Sequence, residues 1–176
     1  MRRLVLIAVL ALAAERSVSA EPAKIILIRH GEKPADHDDP HLTAEGRAHA
    51  ERWVGYFTNS PTRLPDVLLA PSPTKKHPSV RASETIEPLA KLRHLTIETP
   101  YPAEDYTKLA HDLVTEDRFK GKTVVVCWVH QYLPQFVAAL GIDPQPKEWK
   151  GEDYESVYEV TFPEGKPVFK KSAFIK

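Results

Sequence analysis

The sequence predicts an α/β fold in which helices cover both faces of a mostly parallel sheet. Two apolar runs carry the prediction, residues 25–28 (IILI) and residues 123–129 (TVVVCWV). Each is short and rich in aliphatic or β-branched side chains, with no polar alternation, which is how a strand buried on both faces reads. The third observation is the order of what surrounds them. Strand-like and helix-like segments alternate along the chain, and a parallel sheet needs that order because each crossover carries a helix.

The chain of 176 residues is long enough for one domain with a sizeable core. Its first twenty residues read differently from the rest. Arg2 and Arg3 precede an apolar run over 4–14, and Val18-Ser19-Ala20 offers small residues for cleavage. That is the pattern of a secretory leader, too short to span a bilayer comfortably. The other readings are an uncleaved anchor or a buried first helix. The expectation is a signal peptide at 1–20, a domain at 21–176 beginning with Glu21, and an exported protein, periplasmic or secreted. The whole chain carries 24 basic and 24 acidic residues; without Arg2, Arg3, Arg16 and Glu15 the balance is 21 to 23, a formal charge of −2. Nothing in that balance marks a nucleic-acid or membrane-surface protein. Cys127 is the only cysteine, so no intramolecular disulfide forms, and it reads as a buried strand residue.

The elements follow in order. Residues 25–28 form the first strand, and a polar loop, ADHDDP, occupies 35–40. Thr43 is suited to cap a helix running to about 58, with Ala50, Trp53, Val54 and Phe57 on one face. DVLLA at 66–70 reads as a second buried strand, and PSPTKKHP at 71–78 as a loop. A helix is expected over 80–93, kinked or restarted at Pro88. A third strand is placed at 95–98 and a third helix at 105–115. The strand at 123–129 is followed by a helix over 134–140 that Gly141 stops. Two later strands, 156–162 and 168–175, are joined through Pro163-Glu164-Gly165-Lys166.

The chemistry collects around the end of the first strand, KIILIRHGEKP at 24–34. Open α/β sheets place ligands at the C-terminal ends of their strands, and here that end carries Arg29, His30 and Gly31. The missing Cβ of Gly31 lets a ligand approach the backbone. An anion with a nucleophile beside it is the natural occupant. Other phosphate chemistries fail on inspection. Gly121-Lys122-Thr123 imitates a P-loop, but the earlier glycine would fall at Glu116. A cysteine phosphatase needs arginine six positions after Cys127, where Leu133 stands. No G-x-S-x-G elbow occurs. The cluster Asp36, His37, Asp38, Asp39 and His41 has metal-ligand chemistry, but Pro40 prevents the helix that would align His37 with His41; a solvated loop is the better reading.

Four segments in order resemble the histidine phosphatase superfamily, the phosphoglycerate-mutase-like enzymes: RHG at 29–31, LTAEGRAHA at 42–50, SVRASETIEPLA at 79–90 and VVVCWVHQYLP at 124–134. WKGEDYESVYEV at 149–160 is also similar to some small members. The resemblance implies a three-layer α/β/α sandwich and a metal-independent phosphatase without cofactors, acting through a phosphohistidine. His30 would be the nucleophile, Arg29 and Arg81 would clamp the phosphate, and His130 would hydrogen-bond it. Arginine suits the clamp because its planar fork binds two oxygens and stays charged. Arg81 has an alternative, an exposed helix residue paired with Glu84. Gly31 and Lys33 are further phosphate-binding candidates, and His77 either lines the site or is an ordinary loop residue. Family members draw a general acid from the connection after the second arginine, where Glu104 and Asp105 stand; both also fit a helix N-terminus, which favours negative charge. Val129 and Gln131 depart from the family pattern around the second histidine.

No large insertion is present to cap the site, which favours a phosphatase over a mutase, since a mutase must shelter its intermediate from water. The expected partner is a phosphorylated small molecule, such as a sugar or lipid-linked phosphate, or a phosphoprotein. Two other classes stay open: an anion- or partner-binding domain without turnover, and a metal-dependent hydrolase built on the 36–41 loop.

Overall fold

The computed structural model describes residues 21–36 and 38–174. The leader expected at 1–20 lies outside the described residues, as does His37. The chain forms β1 (Lys24–Arg29), α1 (Ala44–Thr58), β2 (Val67–Leu69), α2 (Arg81–Arg93), β3 (Ile97–Glu98), α3 (Tyr106–Thr115), β4 (Thr123–Trp128), α4 (Leu133–Ala139), β5 (Ser156–Thr161) and β6 (Val168–Ala173). The six strands make one sheet in the order β3-β2-β4-β1-β5-β6. β1 to β4 are parallel to one another, and β5 and β6 return antiparallel at one side.

Burial explains why β1 shows no alternation in sequence. Ile25, Ile26, Leu27 and Ile28 are all fully buried, although successive side chains leave opposite faces of a strand. Ile25 and Leu27 meet Leu109 and Leu113 of α3 and Phe136 of α4. Ile26 and Ile28 meet Trp53 and Phe57 of α1 and Ile86 of α2. Two helices therefore cover each face, giving the three-layer α/β/α sandwich. Among the described residues no helix is long and apolar enough to cross a membrane.

Local chemistry sets the element ends. Thr43 is extended and its Oγ1 accepts the Gly46 N–H at 2.9 Å, the expected cap of α1. Gly141, at φ +94°, takes the left-handed backbone that follows the last turn of α4. The helix expected to kink or restart at Pro88 is one element, Arg81–Arg93, with Pro88 inside it at the loss of one backbone bond. The third strand is only two residues long, at the sheet edge and half-buried.

The register fixes where the site falls. Arg29 pairs with Trp128 across the parallel β1–β4 ladder. The next residues, His30 and Val129-His130, therefore leave the sheet side by side at one edge. The parallel direction of β2 and β3 brings the segments after them, 70–79 and 99–105, to the same edge.

Candidate active site

Arg29, the last residue of β1, is 1% exposed. Its Nη1 donates to the Gly151 carbonyl and, at 3.4 Å, to the Asp153 carbonyl. Its Cζ sits 3.9 Å from the ring centre of Tyr154. Burial lowers its pKa, with Tyr154 and Asp153 working against that; a guanidinium stays charged regardless.

His30 is also buried, and its Nδ1 lies 2.7 Å from the Gly31 carbonyl. A carbonyl only accepts, so this contact assigns the proton to Nδ1 and leaves the Nε2 lone pair bare. His130 opens a single 3-10 turn after β4. Arg81 is the first residue of α2, and its Nη1 donates to the Asp39 carbonyl at 2.7 Å. The alternative pairing with Glu84 is not made. The Glu84 carboxylate instead meets His41 Nδ1 at 2.5 Å and accepts the Leu42 N–H at 2.8 Å.

Three nitrogens in this group are buried with no hydrogen-bond partner: Arg29 Nε, Arg81 Nε and His130 Nδ1. Arg29, Arg81 and His130 all act electrostatically on the His30 ring. Buried polar atoms without a partner are costly in a protein interior. A cluster of them around a neutral imidazole is suited to a multivalent anion.

The remaining predicted residues divide. Lys33 lies within electrostatic range of His130. Glu104 lines a cleft with His30, Ser72, His77 and Val129, so His77 also belongs to the site wall. Asp105, one residue on, does not line that cleft and pairs with the exposed Lys108 at 2.9 Å. Gly31 makes its own contacts within the protein. Its N–H donates to Thr85 Oγ1 at 2.8 Å and its carbonyl faces His30, so no donor remains for an anion. A Cβ there would come within 2.9 Å of the Gly46 carbonyl oxygen. The missing Cβ thus allows close contact between the loop and α1. Among the described residues no group of three or more His, Cys, Asp or Glu is gathered in metal-binding fashion.

Sequence reasoning missed four supporting residues. Thr85 joins the two halves of the site, since its hydroxyl also donates to the Arg81 carbonyl at 2.7 Å. His49, fully buried, holds Glu32 at 3.0 Å and stacks on Trp53, fixing the chain just after the RHG turn. Tyr154 and Gly151 reach Arg29 from the segment before β5. Each lies inside a stretch similar to the family, His49 in 42–50, Thr85 in 79–90, Gly151 and Tyr154 in 149–160, but sequence reasoning assigned none of them a role.

Burial drives the His30 pKa down to about 3, and that of His130 down to about 4, with nearby Arg29 adding to each. Both rings are therefore neutral at pH 7. Below about pH 6.5, the ordinary histidine value, the unfolded chain takes up protons that the folded protein refuses. The stability contributed by these rings is full above that pH and falls as the pH drops toward 4. The expected result is that the His30 and His130 ring signals do not titrate by NMR between pH 5 and 8. An inflection near the ordinary value would show that the rings are solvated.

The fold is shared with solved structures. Phosphoserine phosphatase from Entamoeba histolytica in complex with 3-phosphoglyceric acid superposes with a TM-score of 0.60 at 16% identity, over 87% of this chain and 97% of that one. The protein histidine phosphatase SixA complexed with tungstate gives 0.62 at 17%, over 85% and 96%. Phosphoglycerate mutase from Bacillus anthracis gives 0.51 at 13%, over 88% and 94%. No protein-family model and no curated protein matches the chain. The chain thus has the phosphoglycerate-mutase-like α/β/α fold. The structures named here that share it are a phosphoserine phosphatase, a protein histidine phosphatase and a phosphoglycerate mutase.

Proposed function

We propose that this protein is a phosphatase that hydrolyses phosphomonoesters through a phosphohistidine on His30. The observation that carries the reading is the set of orphaned nitrogens of Arg29, Arg81 and His130 around a neutral His30. The phosphoryl dianion would sit among these groups, whose charge and hydrogen bonds stabilise a transition state that demands positioning more than covalent chemistry. His30 Nε2 attacks phosphorus as the P–O bond to the leaving group breaks, and a proton from Glu104 goes to the departing oxygen. Water then attacks the phosphohistidine, gives its proton to the Glu104 carboxylate, and releases phosphate with His30 neutral again. No step calls for a metal.

The names phosphoserine phosphatase and protein histidine phosphatase among the structural neighbours support a phosphorylated small molecule or phosphoprotein as substrate. Hydrolysis of an aryl phosphate, unaffected by chelator, tests the reading. Phosphate binding without turnover would leave a non-catalytic anion-binding domain, and chelator-sensitive turnover a metal-dependent hydrolase. The leader-like segment supports export, which an intact mass beginning at Glu21 in the exported protein would check.

Glu104 is the assignment with its own discriminating result. An alkoxide leaves poorly without a proton, whereas an aryl oxide needs that help less. Glu104→Gln is expected to slow alkyl phosphates by about a hundredfold and aryl phosphates far less, while Asp105→Asn affects neither. Equal losses on both substrates would move the acid to His130.

A further inference from the structure

The stretch between α4 and β5 is held at both ends. Trp149, 1% exposed, packs on Tyr158 at 4.5 Å, and its Nε1 donates to the Asp153 carbonyl at 2.7 Å. The Asp153 carboxylate in turn accepts the Ser156 N–H at 2.9 Å, the Glu155 N–H at 3.2 Å and the Ser156 hydroxyl. Residues 150–152 are thus a clamped loop, and what it presents to the site is specific. The Gly151 carbonyl accepts from Arg29 Nη1, and a Cβ on Gly151 would stand 3.9 Å from His130 Nε2. The Tyr154 ring lies 3.9 Å from Arg29 Cζ. The Tyr154 phenol is also within electrostatic range of Arg81.

Two contacts are enough to fix a planar group. The Tyr154 ring covers one face of the guanidinium at 3.9 Å, and the Gly151 carbonyl holds its Nη1. The edge that carries the unpartnered Arg29 Nε is then left fixed, whether or not an anion is present. We infer that Tyr154 is a positioning residue for the anion site, holding the Arg29 fork in its binding orientation before substrate arrives. This rests on the reading of Arg29 as a phosphate clamp. It gives a function to a segment that belongs to none of the four motifs around the strand ends.

The stacking contact, and not the hydroxyl, carries the effect, so the ring itself is the variable to change. Tyr154→Phe keeps the ring; Tyr154→Leu and Tyr154→Met remove it at similar bulk. The measurements are the dissociation constant of orthophosphate by calorimetry, kcat and KM on an aryl phosphate, and the melting temperature. The expected result is orthophosphate binding within about twofold of wild type for Tyr154→Phe, and weaker by about tenfold for Tyr154→Leu and Tyr154→Met. kcat/KM should follow the binding, with melting temperatures that do not. Wild-type phosphate affinity in the leucine or methionine variant, or equal weakening in all three, overturns the proposal. A wild-type protein that binds orthophosphate without turnover would overturn the phosphatase reading alone, since the binding series still reads Tyr154. A wild-type protein that binds no orthophosphate overturns both.

Discussion

Replacing His30 with alanine is expected to abolish turnover, by on the order of 10⁴-fold or more, as removing a nucleophile does in other covalent enzymes. The geometry says why no neighbour substitutes for it. His30 Nδ1 is committed to the Gly31 carbonyl at 2.7 Å, which leaves Nε2 as a defined, unprotonated nucleophile. His130 is the other imidazole in the group, but its own Nδ1 is buried without a partner and nothing fixes its tautomer in the same way. The companion measurement is phosphate trapped on the wild-type protein during reaction. A phosphohistidine is acid-labile and base-stable, because protonating the imidazole makes it a good leaving group. The alanine variant should trap none, yet should still bind orthophosphate, because Arg29 and Arg81 remain. That retained binding separates lost chemistry from a lost fold. Near-normal activity in the alanine variant would sink the mechanism.

How much of this was legible in the sequence depends on what carried each residue to the site. Arg29, His30 and His130 sit at the ends of two uninterrupted apolar runs, so burial on both faces made their strands readable and the parallel register did the rest. Arg81 had no such signal in the physics of its helix, where an exposed i,i+3 partner of Glu84 was the second reading; the resemblance put the phosphate clamp first. Glu104 was favoured over Asp105 only by its longer arm, because the two share a 3-10 turn and the orientation of adjacent residues there depends on how the turn docks. Gly31 was singled out for its missing Cβ, and the close approach seen there is that of Gly46, which no local sequence signal contains. Tyr154 lies near the start of the antiparallel return strand, and nothing local to its sequence says which strand it will cross. Long-range placement of this kind is set by sheet order, which the periodicity of a single segment does not contain.

Arg81 carries the second large expected effect, and the substitution that decides it is the mild one. Arg81→Ala should lower kcat/KM by about a hundredfold or more, the scale of losing a preorganised donor to developing negative charge. Arg81→Lys should recover little of that, although it restores the charge. The arginine does two things at once: Nη1 donates to the Asp39 carbonyl at 2.7 Å, while Nε stays buried and unpartnered. The first contact orients the plane, so the second donor is aimed without further loss of freedom. A lysine ammonium is a single point of charge on a flexible stem. It either bonds the Asp39 carbonyl and stays short of the anion, or reaches the anion with nothing to hold it in place. The restored charge is why the lysine variant should retain orthophosphate binding better than the alanine variant does, while both lose kcat, because a point charge is undirected and the transition state needs directed donors. The fork model therefore predicts a split: affinity partly restored by charge, turnover not. If Arg81→Lys matches wild type in kcat as well as in affinity, Arg81 acts only as a nearby charge, and the directed contact to phosphate must come from Arg29 and His130 alone.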